Sequence, residues 1–386
     1  MSKWEMVRLR DVCLENILKL SQKDEFLIDY IDISSVDNEK NRIVSYQTLT
    51  PKNAPSRAKQ ILKKDDIIVS TVRPNLNGVA INNLNTKNIV VASTGFCVLR
   101  CKETADLRYV FNYCKSKAFI NRLVKVAKGA SYPAVSNFDV RNSFIPLPPL
   151  EVQNQIANTL DKAQEIIDGH KKQLEELNNL IKAIFYDMFG DPVTNERGWR
   201  VEKLSEKSIL QSGGTPPREK IEYFNGTIPW ITTVALNKLF IGHDDANEYI
   251  SEEAVNNSAT KIIPAYSILF GTRVGVGKVS INIVDMCTNQ DVVAITNIDD
   301  KCLNKTFLIE TLKKFSGYYN EQKRGATIKG ITSSVLKETE IILPSLHLQN
   351  KFATIVTNIE EQKAIVKKSI EESKTLFYSL MNKYFE

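Results

Sequence analysis

The stretch Ile145-Pro-Leu-Pro-Pro-Leu150-Glu-Val-Gln153-Asn154 returns as Ile341-Ile-Leu-Pro344-Ser-Leu346-His-Leu-Gln349-Asn350, and each copy opens a long helical pattern. Pro148 and Pro344 lie 196 residues apart, and the same offset carries Gly129-Ala130-Ser131 onto Gly325-Ala326-Thr327. Near the starts, Trp4 with Leu9 corresponds to Trp199 with Leu204 at an offset of 195. The 386 residues are therefore a unit of about 190 written twice. A chain built this way imitates a two-fold dimer, so its target is expected to have two parts.

The patterns that follow each proline entry are regular. In the first copy Ile156, Leu160, Ala163, Ile167, Leu174, Leu177, Ile181, Ile184 and Met188 alternate spacings of four and three, with His170 filling the one gap. In the second, Phe352, Val356, Ile359, Val366, Ile370, Phe377, Leu380 and Tyr384 do the same, interrupted by Lys363 and Ser373. Sustained over about five heptads, this alternation predicts a coiled-coil seam. The two seams match at offset 196 without a gap. That alignment is preferred over pairing Phe185-Tyr186 with Phe377-Tyr378 at offset 192, because it keeps the register. Proline suits a first helical turn, and about 40 residues at about 1.5 Å each give a rod of roughly 60 Å. Neither rod can bury its stripe alone, so the two are predicted to pair antiparallel with one globular domain near each end. His170 reads as a packed seam histidine rather than a ligand. The organisation expected is a globular part over 1–144, a helix over 145–190, a second globular part over 191–340 and a second helix over 341–386.

Apolar content of 42% and charged content of 25% are ordinary for a globular protein. The first residues, Met1-Ser-Lys-Trp-Glu-Met-Val-Arg-Leu-Arg10, lack the apolar region of a signal peptide, and no apolar run approaches the roughly 18 residues that span a bilayer. Cytoplasmic placement without a membrane partner is expected. Six cysteines without a C-x-x-C pair, together with three histidines, give no metal-ligand spacing, so no metal site is expected. Net charge is +6 overall but unevenly spread: residues 1–144 carry +9, 145–190 carry −3, 191–340 carry −1 and 341–386 carry +1. The basic first part is compatible with nucleic-acid binding. The nearly neutral second part predicts weak DNA binding by this chain alone, since phosphate neutralisation supplies most non-specific affinity.

Within the globular halves, residues 26–33 alternate as a strand does, and Ile228-Pro-Trp-Ile-Thr-Thr233 is their counterpart. Asp66-Ile-Ile-Val-Ser-Thr71 and Ser267-Ile-Leu-Phe-Gly-Thr272 form a second strand pair, followed by Arg73 and Arg273. A further strand ends at Ile81 and at Ile281. Another follows Ser93-Thr94-Gly95 and Asn289-Gln290-Asp291, and helices begin near Leu107 and Leu303. A basic glycine loop closes each half. The fold class is α+β: two tandem domains of mixed strands, each followed by its long helix, related by a pseudo-two-fold repeat. Their loops are rich in Arg, Lys, Asn, Gln, Ser and Thr, side chains that can hydrogen-bond base edges and phosphates.

Catalytic patterns are missing. Gly271-Thr-Arg-Val-Gly275-Val-Gly277-Lys278-Val279 invites a phosphate-loop reading, but a phosphate loop needs Ser or Thr after its lysine and Val279 stands there. There is no G-x-S-x-G elbow, no H-E-x-x-H and no N-P-P-[FY] of an amino-methyltransferase. The Glu321-Gln-Lys323 and Glu361-Gln-Lys363 triplets have no Pro-Asp partner. No catalytic residue is assigned: the chain is expected to recognise rather than react.

Gln211-Ser-Gly-Gly-Thr215-Pro-Pro-Arg218, Tyr223-Phe-Asn-Gly-Thr-Ile-Pro-Trp230, Ile268-Leu-Phe-Gly-Thr-Arg273 with Val276-Gly-Lys-Val279, Asn289-Gln290-Asp291 and Pro148-Pro-Leu-Glu-Val-Gln153 resemble the target-recognition domains of DNA-specificity (S) subunits of type I restriction-modification enzymes. The resemblance covers the whole chain in the order domain, helix, domain, helix. The first half departs from the pattern: it lacks Gly-Gly-Thr-Pro, and Arg73-Pro-Asn-Leu-Asn-Gly78 replaces Arg-x-x-x-Gly-Lys. Two divergent halves imply two different sequences read. The resemblance further implies a non-catalytic subunit that docks two methyltransferase (M) subunits, largely through its helices. The complex methylates adenine with S-adenosylmethionine bound by M. Two restriction (R) subunits using ATP and Mg complete an endonuclease. No cofactor is expected in this chain.

The residues expected to touch double-stranded DNA are Thr71, Arg73, Asn75, Lys128, Ser131 and Tyr132 in the first domain. In the second they are Arg218, Thr272, Arg273, Lys278, Gln290, Arg324, Thr327 and Lys329. Two rival readings stand beside this one: the recognition part of a fused restriction–methylation enzyme, and a coiled-coil scaffold holding two protein-binding domains. The missing methyltransferase motifs weigh against the first, and the basic first half with recurring arginine–glycine loops against the second.

Overall fold

The computed structural model describes residues 4–21, 26–236, 238–325 and 329–386. The chain packs as two units, residues 1–171 with 368–386, and residues 172–367. Each long helix, Leu150–Phe189 and Leu346–Phe385, contributes residues to both.

The two units repeat one plan. In the first, strand Met6–Arg8 pairs antiparallel with Phe144–Pro146, which leads into the long helix. In the second, Val201–Lys203 pairs with Glu340–Ile342 in the same way. Both ends of each domain are thus tied at the root of its helix. The strand Ile67–Ser70, three apolar residues and a serine, is buried at every position, as a strand covered on both faces must be. It lies between antiparallel strands Val79–Ile81 and Phe96–Leu99. Its counterpart Ile268–Gly271 lies between Val279–Asn282 and Val292–Thr296, in a sheet extended to five strands by Ile209–Ser212 and Phe240–Ile241. A second, mixed sheet completes each unit. Ile28–Ile31 runs parallel to Ile89–Ser93, and Ile228–Ile231 parallel to Cys287–Thr288. The strands and helix starts expected from sequence are all present. The helices begin at Leu107, capped by the Asp106 carboxylate, and at Lys305, capped by the Asn304 amide oxygen.

The seam is built within each unit. Ile156, Leu160, Ala163 and Ile167 share the first core with Phe377, Met381 and Phe385, so the start of one helix meets the end of the other. Ile181, Phe185 and Phe189 share the second core with Phe352, Val356 and Ile359. The offset of 196 survives to the last turn: 181, 185 and 189 match 377, 381 and 385. Val366 and Ile370 are also buried, and Leu174, Leu177, Ile184 and Leu380 are half-buried. The predicted spacing therefore needs correcting at the helix ends. Phe185 and Phe189 are buried where Ile184 and Met188 were expected. Phe189 packs edge-on to Phe307 and Phe352, at 4.7 and 5.4 Å between ring centroids. A helix lying on a domain core follows its own 3.6-residue pitch, whereas a supercoiled seam demands 3.5. His170 is half-buried, and its Nδ1 has no hydrogen-bond partner among the described residues.

Candidate nucleic-acid interface

In each unit a threonine at the end of the central strand gathers the loops around it. The Thr71 N–H and hydroxyl both donate to the Gly95 carbonyl at 2.9 Å, and its own carbonyl accepts the Val135 N–H at 2.8 Å. The Thr272 N–H and hydroxyl donate to the Asp291 carbonyl at 2.8 and 3.0 Å, and its carbonyl accepts the Ile331 N–H at 2.8 Å. Both threonines are buried with their hydroxyls already used. Here the structure departs from the expectation of open DNA-contacting groups: these side chains position loops.

Beyond Thr71, Arg73 takes the left-handed conformation with φ 49° and donates its N–H to the Pro133 carbonyl at 2.7 Å. This laces the turn after the central strand to the basic glycine loop, which Lys128 and Ala134 close with reciprocal bonds of 2.9 Å. The Arg73 guanidinium lies 4.6 Å from the centroid of the Tyr132 ring, a separation at which ring quadrupole and cation attract. Arg73, Asn75, Lys128, Ser131 and Tyr132 are all exposed. The first-domain residues other than Thr71 thus come together on two joined loops.

The second unit uses the same loops with different occupants. Arg324 and Gly330 close its glycine loop with bonds of 2.8 and 2.9 Å. Gly330 is required there, because a Cβ would stand 2.7 Å from the Thr272 carbonyl oxygen. The Arg273 guanidinium pairs with the Asp291 carboxylate instead of an aromatic ring. Arg324 and Lys329 are exposed; Thr327 lies outside the described residues. Lys278 closes the preceding turn, its carbonyl accepting the Gly271 N–H at 2.9 Å and its N–H donating to the Gly275 carbonyl at 3.0 Å.

The Gly-Gly-Thr-Pro segment packs against Asn289-Gln290-Asp291. A Cβ on Gly213 would meet the Asn289 carbonyl oxygen at 2.2 Å, so only glycine fits. The Thr215 hydroxyl donates to the exposed Gln290 side chain, and Trp230 Nε1 donates to the Gly214 carbonyl at 3.0 Å. Arg218 is held by a bidentate pair with Glu248 at 2.6 and 2.9 Å and lies over Phe224 and Trp230, 4.5 and 5.0 Å from their centroids. The Glu248 hydrogen bonds raise the guanidinium pKa further above its ordinary value. Half its side chain remains open to solvent. Sequence reasoning did not find the acids Asp291 and Glu248 as partners. Asp291 stood in a recognised motif, but nothing local points to Glu248, 30 residues from Arg218.

Among the described residues, no group of His, Cys, Asp and Glu could hold a metal ion, and no helix is long and apolar enough to cross a membrane.

The family model of the type I restriction modification DNA specificity domain matches residues 1–179 and again 196–374. The chain therefore belongs to that family and carries its domain twice. Among similar proteins, the type I restriction enzyme MjaIX specificity subunit of Methanocaldococcus jannaschii is 25% identical over 364 residues, covering 89% of this chain and 80% of that one. The HindI specificity subunit of Haemophilus influenzae is 23% identical over 439 residues, covering 94% of each. A solved chain from work on complex assembly and conformational transition of the type I R-M system has a TM-score of 0.66 at 25% identity, covering 99% of this chain and 97% of that one. The S subunit from M. genitalium, at 15% identity and a TM-score of 0.57 over 100% of this chain and 96% of that one, shares the fold. The function that family membership gives is that of a DNA-binding specificity subunit in a type I restriction-modification system, a non-catalytic role.

Proposed function

We propose that this chain reads an asymmetric, bipartite target in double-stranded DNA, one short half-site per recognition domain, with the paired long helices setting the gap between them. The observation that carries this reading is one loop scaffold, hung on Thr71 and Thr272, that presents unlike groups: Arg73 against Tyr132 in one unit, Arg273 against Asp291 in the other. Side chains of these kinds read base edges when they reach a groove. One DNA turn is about 34–36 Å, so half-sites around a turn apart face the same side of the duplex.

The chain supplies no reacting group of its own. Two methyltransferase subunits dock on it, largely through the helices, and carry S-adenosylmethionine. Two restriction subunits bring ATP and Mg. The assembly works in the cytoplasm. The test is to co-express the chain with its methyltransferase partner in a methylation-free host and sequence the DNA for modified adenine. A single bipartite motif with two unlike halves is the expected result. No methylation from an intact complex would overturn the reading.

A further inference from the structure

We infer that a lysine-lined cavity in the second unit is a phosphate-binding site that takes the DNA backbone beside the second half-site. This rests on the DNA-reading role proposed above. The cavity holds about 700 Å³ and is walled by the turn at Gly277–Val279, the segment Lys238–Phe240, the end of helix Lys305–Lys314 and one face of the second long helix. Lys238, Lys278, Lys313, Lys363 and Lys367 line it, with Glu360 as the one acid in its wall among the described residues. Three of the lysines already have an acid: Lys238 has Asp245, Lys313 has Glu310 and Lys363 has Glu360. Lys278 and Lys367 make no ion pair among the described residues.

Ammonium groups crowded around one space repel, and an anion in that space relieves the repulsion. The ligand is a phosphodiester for two reasons. Lys278 belongs both to this cavity and to the turn that begins at Gly271 and carries Arg273, so the cavity is continuous with the reading loops. Asn178 adds one amide to the wall, and the apolar stretch formed by Leu236, Leu239, Phe240 and Val279 suits the carbon face of a sugar. The second long helix thereby acquires a DNA contact of its own through Lys367.

The test measures affinity of the complete complex with its methyltransferase for a duplex carrying its methylated motif, from about 50 to about 200 mM NaCl. Each neutralised phosphate contributes a slope of about −0.9 in log affinity against log salt. Lys278→Gln with Lys367→Gln should make the slope shallower by about 1.8. The affinity lost across that range then shrinks about twelve-fold relative to wild type. Glu360→Gln, which frees Lys363, should steepen the slope by up to about 0.9. Lys278→Arg with Lys367→Arg should keep the wild-type slope, which separates charge from folding. An unchanged slope in the glutamine variant overturns the inference, as does an arginine variant that fails to keep the wild-type slope. Loss of the methyltransferase from the glutamine variant at unchanged slope also overturns it, and assigns the cavity to an acidic protein surface. A wild-type complex that binds no duplex would strike the DNA reading itself.

Discussion

Gln153 and Gln349 make the same three hydrogen bonds 196 residues apart. The Gln153 side-chain oxygen accepts the Asp106 N–H at 2.9 Å, and its amide donates to the carbonyls of Thr104 and Pro148 at 3.2 and 2.9 Å. Gln349 accepts the Asn304 N–H at 2.9 Å and donates to Cys302 and Pro344 at 2.9 and 2.8 Å. Each buried amide ties the first turn of a long helix to the cap of a short one. Gln349→Leu leaves an N–H and two carbonyls without partners, each costing about 1–3 kcal/mol before water partly compensates. A loss of about 2–4 kcal/mol in stability is expected by denaturant unfolding. A change below about 0.5 kcal/mol, the scale of ordinary surface substitutions, would show that the amide is dispensable.

Arg73 is exposed and rests on Tyr132 rather than on an acid. Arg73→Ala should therefore leave stability within about 0.5 kcal/mol while removing about 1–3 kcal/mol of discrimination at one base pair. The methylated motif should relax in one half-site only. Relaxation in both halves, or in neither, would refute the assignment.

Gly330 sits against the carbonyl of Thr272 and the side chain of Arg273. Gly330→Ala pushes a Cβ against the Thr272 carbonyl oxygen and the Arg273 Cα, which no rotamer change relieves. We expect a stability loss of about 1–3 kcal/mol and a relaxed second half-site. Unchanged methylation at that half-site would mean that the Thr272–Arg273 turn does not set its specificity.

The Lys115 ammonium lies 4.5 and 5.6 Å from the ring centroids of Phe111 and Phe377, and burial pushes its pKa down from 10.5 to about 8. A lysine whose folded pKa is lowered destabilises the fold while it is charged. That penalty is complete below pH 8 and fades as pH rises from 8 towards 10.5. Lys115→Met should accordingly raise the melting temperature most at neutral pH, with the advantage shrinking above pH 8. An advantage that stays constant from neutral pH to well above 8 would contradict this.

The helices set the gap if they act as a ruler. Inserting four residues, about one turn, into one long helix should lengthen the unspecified gap and preserve both half-sites. The methylated motif reports this directly, and an unchanged gap would sink the ruler.

The duplication, the two long helices and the strand order were legible in the sequence, because each rests on local periodicity or on a motif repeated at a fixed offset. The offset of 196 alone placed Met381 and Phe385 opposite Phe185 and Phe189 as equivalents, although neither pair was among the predicted seam residues. What the sequence left open were the partners of its charged groups. Arg73 and Arg273 look alike in the chain, each two residues or fewer past a buried strand and its threonine. Only folding puts Tyr132 against one and Asp291 against the other. Thr71 and Thr272 read as DNA contacts from sequence, but the turn carbonyls of Gly95 and Asp291 accept their hydroxyls. Lys278 and Lys367 share a cavity across 89 residues of sequence. Periodicity reports which face a side chain turns to the core. Which side chains meet across loops depends on how distant strands pair, and tertiary structure alone decides that.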